Sequence, residues 1–313
     1  MLNRRHIRIK VMQTLYALHQ SNSDQIQVGE KFLNHSMDSI QELYLLMLTL
    51  LIEIRKKEEE YIEISQKKHL ATYEERNPNK KFIENEVLAL LGNSTSISNK
   101  VEERNMTYWQ RKDHYVQLIL DEVKASQLYK DYMKSTTRSF KEDQDFIVNL
   151  YTEIIAPDEK LYDFLEDTKL TWVDDLPVVN TLIQKQLRQI KNIEQAFFVP
   201  KVFKDSEDKD FAMNLYRRTV LNGAEFAKEY DGKTPNWDVE RIATIDIIIL
   251  KMAICEMLRF SSIPVKVTIN EYLELAKEYS TPKSSIFING ILDNISKELE
   301  AQDRLNKIGK GLL

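Results

Sequence analysis

The first twenty residues place apolar side chains at spacings of four, four and three residues, which is the period of an amphipathic helix. Asn3 precedes this stripe and is a favourable N-cap residue, so we predict that the first helix begins directly after it. A second stripe with the same period predicts a long helix over about residues 36–70. The two stripes consist of Ile7, Val11, Leu15 and Leu18, and of Met37, Ile40, Tyr44, Met47, Leu51 and Ile54.

The C-terminal part of the chain predicts three more helices. The first is apolar and follows Trp237. Thr268 and Glu271 have the spacing of a capping box, which predicts a helix from Ile269 to Tyr279.

The last helix is predicted to start at Thr281-Pro282, because threonine caps helices and proline suits their first turn. Its buried stripe consists of Ile288, Ile291, Ile295 and Leu299. Gly290 lies inside this helix, where glycine costs about 1 kcal/mol relative to alanine. Close packing against a neighbouring helix explains this glycine, and the approach of RNA is the alternative.

Composition agrees with a helical chain. The 313 residues include only 7 glycines and 7 prolines, and 42% are hydrophobic. We therefore predict an all-α protein. The single cysteine, Cys255, excludes an internal disulfide and is predicted to be a buried thiol.

No targeting or membrane segment is apparent. The N-terminus lacks the apolar core of a secretory signal. The longest apolar run, residues 43–52, is about half of what a membrane span needs. We predict a cytoplasmic protein without a membrane partner.

Charge is distributed unevenly along the chain. The formal net charge is −5, yet residues 1–23 contain four basic residues, Arg4, Arg5, Arg8 and Lys10, and no acid. On a helix, Arg5 and Tyr16 project within roughly 20° of each other, so a strand of RNA could run along this face. The alternative is an ordinary solvated basic helix end. We predict that RNA, if bound, is bound by the ends of the chain.

Candidate catalytic chemistry is missing from the sequence. The five histidines show no metal-binding spacing, and the glycines form no phosphate-binding loop. We predict no metal, no cofactor and no enzymatic activity.

A weak internal repeat has an offset of 65 residues. The segment 142–151 recurs as 207–216, and Trp172 recurs as Trp237. We interpret residues 142–176 as a degenerate copy of 207–241. Coincidence between two helices with acidic caps is the alternative.

Both ends of the chain resemble the NusB family of bacterial transcription antitermination factors. The resemblance is carried by Arg4-Arg5-His6-Ile7-Arg8 with Leu15-Tyr16, by the segment 263–271, and by Phe287-Ile288-Asn289-Gly290. It implies an all-helical fold of two three-helix bundles formed by residues 1–35 and 206–313. Residues 36–205 would then be a helical insertion.

The resemblance also implies a function. NusB proteins pair with NusE, a small ribosomal subunit protein, and the pair binds single-stranded boxA RNA in the RNA polymerase antitermination complex. By motif position, NusE and RNA would be contacted by Asp246, which we expect at the solvent edge of its helix. The candidate RNA-binding residues are Arg4, Arg5, Arg8, Lys10, Tyr16, Lys283 and Phe287, of which Lys283 replaces an acid common in the family.

Two alternatives stay open at the level of sequence. The chain could be a NusB-like scaffold that has lost RNA binding, although its basic first helix is intact. NusB-like domains also precede ribosomal RNA cytosine methyltransferases, but those need a second domain with glycine-rich methyl-donor loops and a catalytic cysteine. The glycines here form no such loop, and the single cysteine, Cys255, is predicted to be buried.

Overall fold

The computed structural model describes residues 1–22, 25–231 and 242–308, and within these ranges every regular element is helical. The all-α prediction is confirmed. The first eight helices are α1 Arg4–Gln20, α2 Ile26–Gln66, α3 Tyr73–Arg76, α4 Glu86–Gly92, α5 Thr95–Glu103, α6 Tyr108–Arg111, α7 Asp113–Ala125 and α8 Gln127–Lys134. The others are α9 Phe140–Leu150, α10 Glu159–Thr168, α11 Leu176–Gln189, α12 Ser206–Leu221, α13 Gly223–Tyr230, α14 Thr244–Arg259, α15 Val265–Tyr279 and α16 Ser284–Ala301.

The chain forms two structural units. The terminal unit comprises residues 2–37 and the described residues from 203 onwards, and the central unit comprises Met1 and residues 38–202. Helix α2 therefore begins in the terminal unit and continues into the central one. It starts about ten residues before the predicted position, because the first amphipathic turns precede Met37.

In the terminal unit, α1 packs against α12 and α14, and α14 packs against α13, α15 and α16. Helix α14 is buried over most of its length, which explains its apolar sequence. Asn3 caps α1 as predicted, by accepting a hydrogen bond from the backbone N–H of His6. The predicted stripe of α1 is buried at Ile7, Val11 and Leu15.

One close contact in this unit requires a glycine. A Cβ atom added to Gly29 of α2 would lie 1.9 Å from the Oη atom of Tyr216 on α12. The phenol of Tyr216 is itself buried, so it has little room to move.

The central unit has its own hydrophobic core. Its α4, α8 and α11 pack on α9, and the ring of Tyr132 stacks on Phe146 with centroids 3.9 Å apart. Trp172 is fully buried, and its indole Nε1 donates a hydrogen bond to the carbonyl oxygen of Ser39.

The predicted repeat involves α9 and α12. Both helices bury their equivalent residues, Phe146 and Leu150 in one, and Phe211 and Leu215 in the other. After Leu150 the backbone enters a π-helical turn, Tyr151–Ile155, whereas α12 continues regularly to Leu221. Trp237 lies outside the described residues, so the repeat stays a prediction.

The helix that was predicted from Ile269 to Tyr279 begins earlier than predicted. Helix α15 begins at Val265, preceded by Pro264, whose φ of −62° suits a helix start. Thr268 is therefore inside the helix, where its hydroxyl is buried and donates to Glu256 instead of capping.

Helix α16 also differs from its prediction. It begins at Ser284, two residues after Pro282. Its predicted stripe is buried throughout, but Gly290 is exposed, and a Cβ atom there would meet nothing within 4 Å. Close packing is therefore not the reason for this glycine, and that interpretation is wrong.

Candidate nucleic-acid interface

A buried ion pair connects α1 to α14. Arg8 donates from Nε to Oε2 of Glu256 at 2.8 Å and from Nη2 to Oε1 at 2.7 Å. The same carboxylate accepts hydrogen bonds from the hydroxyls of Thr268 and Tyr272 on α15, at 2.9 Å and 3.2 Å. Four donors thus satisfy a carboxylate that has no access to solvent.

This environment keeps Arg8 charged. Burial acts to lower the pKa of Arg8, but the hydrogen bonds to Glu256 and the negative charge of Glu256 raise that pKa above its ordinary value. The Arg8 side chain is only 3% exposed. The prediction that Arg8 faces RNA is therefore corrected: its position fits a structural role, because its donors are directed into the unit.

Arg5 and Arg4 are also paired, nearer the surface. Arg5 donates from Nε and Nη2 to both carboxylate oxygens of Glu271 on α15, at 3.0 Å and 2.9 Å. The Nε atom of Arg4 lies 3.0 Å from a carboxylate oxygen of Asp208, and its guanidinium carbon lies 4.6 Å from the centroid of the Phe211 ring. The Arg5 side chain remains 43% exposed, so it can still meet a ligand.

The charge of the N-terminal segment is thus largely compensated in the fold. The acids that pair with its arginines lie about 200 residues or more away in sequence. Sequence analysis missed Glu256 and Glu271 because no local spacing connects them to α1. Glu271 was noticed as part of a capping box and of the segment 263–271, but not as a partner of α1.

A shallow groove lies beside the exposed part of this cluster. The residues that line it from α1 and its cap are Asn3, Arg4, Arg5, His6 and Arg8, and the opposite wall consists of Ser262, Ile263, Pro264, Val267 and Glu271. Burial, together with the nearby charges of Arg5 and Lys10, lowers the pKa of His6. This lowered pKa favours the neutral form of His6.

The start of α15 forms part of the same wall. No side chain among the described residues caps its first turn. The backbone N–H groups at the start of a helix carry partial positive charge and suit a phosphate group.

The predicted RNA track along α1 is interrupted. Ile9 and Met12 lie on the same helix face between Arg5 and Tyr16, and both are buried. Lys10 is buried as well, so it does not offer its ammonium group at the surface. Tyr16 is partly exposed, but no open surface of α1 connects it to Arg5. The prediction of a continuous RNA track along α1 is therefore wrong, because residues 7–12 in the middle of the helix are all buried.

The remaining RNA candidates lie on α16 and just before it. Lys283 is exposed at the N-cap position, and Phe287 is half-buried one turn later. Ile286 is 76% exposed between them, a feature the periodicity analysis did not single out. Together with the open surface at Gly290, these residues leave the first turns of α16 accessible.

Asp246 does not lie at a solvent edge, and that expectation is wrong. The residue is only 4% exposed, and its Oδ2 atom accepts a hydrogen bond of 2.7 Å from the hydroxyl of Ser284. Its Oδ1 atom is buried without a hydrogen-bond partner among the described residues. Asp246 thus connects the first turn of α14 to the first residue of α16.

A second groove in the terminal unit has a mixed polar and apolar lining. It is lined by Leu15, Leu18, His19, Asn22, Thr219, Val220, Gly223, Ile248 and Lys251. Lys251 has no acidic partner among the described residues, and burial lowers the pKa of its ammonium group. A ligand carboxylate would therefore find an uncompensated cation in this groove.

Within residues 1–22, 25–231 and 242–308, no group of histidine, cysteine, aspartate and glutamate side chains could hold a metal ion. No helix within these ranges is long and apolar enough to cross a membrane.

Comparison with known proteins identifies the family. The profile of the NusB family matches residues 176–297, which begins inside the predicted insertion and does not include α1. The transcription antitermination protein NusB of Salinibacter ruber is 43% identical over 109 residues, which cover 35% of this chain and 68% of that protein.

Two further relatives carry the same name. NusB of Dictyoglomus turgidum is 40% identical over 137 residues, covering 44% of this chain and 88% of the relative. NusB of Chloroherpeton thalassium is 35% identical over 125 residues, covering 40% of this chain and 59% of the relative. No solved structure matches at a significant level.

The structure thus defines a class: an all-helical protein whose terminal unit carries two grooves as candidate binding surfaces. The chain belongs to the NusB family of transcription antitermination factors, and so it is not an enzyme. Sequence outside the matched segments distinguishes it from these relatives.

Proposed function

We propose that this protein is an RNA-binding transcription antitermination factor that binds boxA-like single-stranded RNA through its terminal unit. The RNA would enter the groove between the N-terminal end of α1 and the start of α15. Arg5 and Arg4 would contact phosphates, and the free N–H groups at the start of α15 would donate hydrogen bonds to another phosphate. Lys283 and Phe287 would contribute from α16, the phenylalanine by stacking on a base.

The observation that carries this proposal is the exposure of Arg5 beside an uncapped helix start. A guanidinium group and uncapped helix N–H groups that line one groove would suit a phosphate, which supports the proposal. Arg8 borders the groove, but its donors are held by Glu256, and Lys10 is buried, so neither would bind the phosphate.

A binding measurement tests this proposal. Fluorescence anisotropy should detect binding of a boxA-like 12-nucleotide RNA and weaker binding of a scrambled RNA. If two phosphates are neutralised, the logarithm of the affinity should fall against the logarithm of salt with a slope of about −1.4. Arg5→Gln should weaken the binding of both RNAs by a similar factor, because phosphate contacts do not distinguish base sequences. Lys297→Gln, an exposed change elsewhere on α16, is the control.

We propose NusE as the protein partner, and the groove around Lys251 as the surface that receives it. A groove of mixed polarity, in which Lys251 has no acidic partner among the described residues, fits a helix or strand that carries an acidic side chain beside apolar ones. Asp246 would act indirectly, by holding the start of α16 through Ser284.

Co-purification with the organism's own NusE tests the partner. Lys251→Glu should abolish retention, whereas Lys297→Glu, with the same charge change on an exposed surface, should not. Equal retention of the two variants would remove the groove from the interface. A protein that binds NusE but no RNA would be the NusB-like scaffold of the alternative reading.

A further inference from the structure

Glu271 lies between the proposed RNA groove and two arginines. Its carboxylate holds Nε and Nη2 of Arg5, and its Oε2 atom lies 3.6 Å from Nη1 of Arg8. The Glu271 side chain is 20% exposed and lines the same groove. A phosphate that approaches Arg5 therefore also approaches this carboxylate.

The pairing leaves one side of the Arg5 guanidinium available. Nε and Nη2 are engaged by Glu271, and Nη1 has no hydrogen-bond partner among the described residues. A phosphate can bind Nη1 while Glu271 stays in place, or it can displace Glu271 from the other two donors. In the first case it meets a nearby negative charge, and in the second it must break two charge-assisted hydrogen bonds.

We propose that Glu271 is an electrostatic brake on RNA binding, which lowers the affinity of the groove for single-stranded phosphate backbones by neutralising Arg5. The inference rests on the proposed RNA-binding function. Because Glu271 neutralises Arg5, the affinity for RNA depends less on non-specific electrostatic attraction and more on the other contacts of a bound strand. The specificity of the groove thus depends on Glu271 as well as on the residues that touch RNA.

Glu271→Gln tests the brake, because glutamine keeps the shape and an acceptor but removes the charge. The matched control is Glu274→Gln, which removes the same charge one turn along α15 from a residue paired with Lys277 instead of Arg5. We expect Glu271→Gln to raise the affinity for scrambled single-stranded RNA about fivefold at low salt, the effect of one unit charge at about 4 Å in water. Glu274→Gln should have a much smaller effect.

Two further readouts separate the brake from a merely structural role. The salt dependence of Glu271→Gln should steepen by about 0.7, the increment for one more neutralised phosphate on a single strand. In an Arg5→Gln background, Glu271→Gln should strengthen binding much less, because only the direct repulsion between the carboxylate and a phosphate is then removed. Thermal melting of each variant checks that it is folded at the temperature of the binding measurement.

Each outcome has a defined meaning. Equal strengthening in the two glutamine variants would overturn the brake in favour of a general charge effect. Weaker binding by Glu271→Gln would overturn it in favour of a carboxylate that orients Arg5. Unchanged binding would overturn the brake while the proposed function stands. Absence of RNA binding by the unaltered protein would overturn both.

Discussion

Arg8 and Glu256 form a two-point ion pair that is closed to solvent, although 248 residues separate them in the chain. The pair connects the first helix to α14, which is buried over most of its length. Thr268 and Tyr272 complete the coordination of the carboxylate from α15. One carboxylate thus connects three helices, and the removal of any partner leaves a buried polar group unsatisfied.

We expect Arg8→Ala to lower the free energy of unfolding by about 3–5 kcal/mol, because it leaves the charge of Glu256 buried and unpaired. Urea denaturation measures this loss. Arg4→Ala, which removes a partly exposed pair, should cost about 1 kcal/mol or less. A similar small loss for Arg8→Ala would contradict the structural role assigned to this pair.

Gly29→Ala and Gly290→Ala should have opposite effects on stability. The methyl group at Gly29 collides with Tyr216, so we expect a loss of about 1–3 kcal/mol. The methyl group at Gly290 meets nothing, so the better helix propensity of alanine should add up to about 1 kcal/mol. The melting temperatures of the two variants, each compared with that of the unaltered protein, test both predictions. Adding Tyr216→Phe should recover part of the loss at Gly29, because it removes the atom in closest contact.

Trp172→Ala should destabilise the central unit by about 3–5 kcal/mol, as a large-to-small change at a fully buried position. The indole hydrogen bond to Ser39 is lost as well. Folded protein should bind RNA with unchanged affinity, since the proposed groove belongs to the terminal unit. Trp172→Phe serves as the milder control, and a loss of RNA affinity by fully folded Trp172→Ala would contradict the assignment.

Stability should rise with pH above about 8 through Lys307. Burial lowers the pKa of this ammonium group to about 8, while its Nζ atom donates to the carbonyl oxygens of Glu256 and Phe260. Between about pH 8 and the unfolded value near 10.5, the unfolded chain binds more protons, so stability increases with pH in this window. Melting temperatures at pH 8 and pH 9.5 measure the change. Lys307→Met should reduce the increase, and Lys297→Met should leave it intact.

Local patterns anticipated much of the helical structure. The period of four, four and three residues located α1, and Asn3 marked its beginning, because capping and amphipathicity depend on near neighbours. The stripe of α16 was anticipated for the same reason. The prediction that Thr268 caps its helix was wrong for two reasons. The helix begins earlier, directly after Pro264, and the hydroxyl of Thr268 donates to a carboxylate of another helix.

The candidate site was only partly accessible to sequence reasoning. The arginines of α1 were identified from their charge, but the side chains that hold them were not. Whether an arginine faces solvent or a buried carboxylate depends on packing between α1, α14 and α15. Exposure at Gly290 and burial of Asp246 likewise depend on neighbours from other helices.

The sequence by itself determined the helical class, the family resemblance and the basic first helix, since each depends on residue types at local spacings. Only the tertiary structure decided which cations remain available, because Arg8 and Arg5 meet their acids through helix packing across the length of the chain. A charge counted along the sequence is a sum over residues, whereas a charge that a ligand meets is what remains after burial and pairing in the fold.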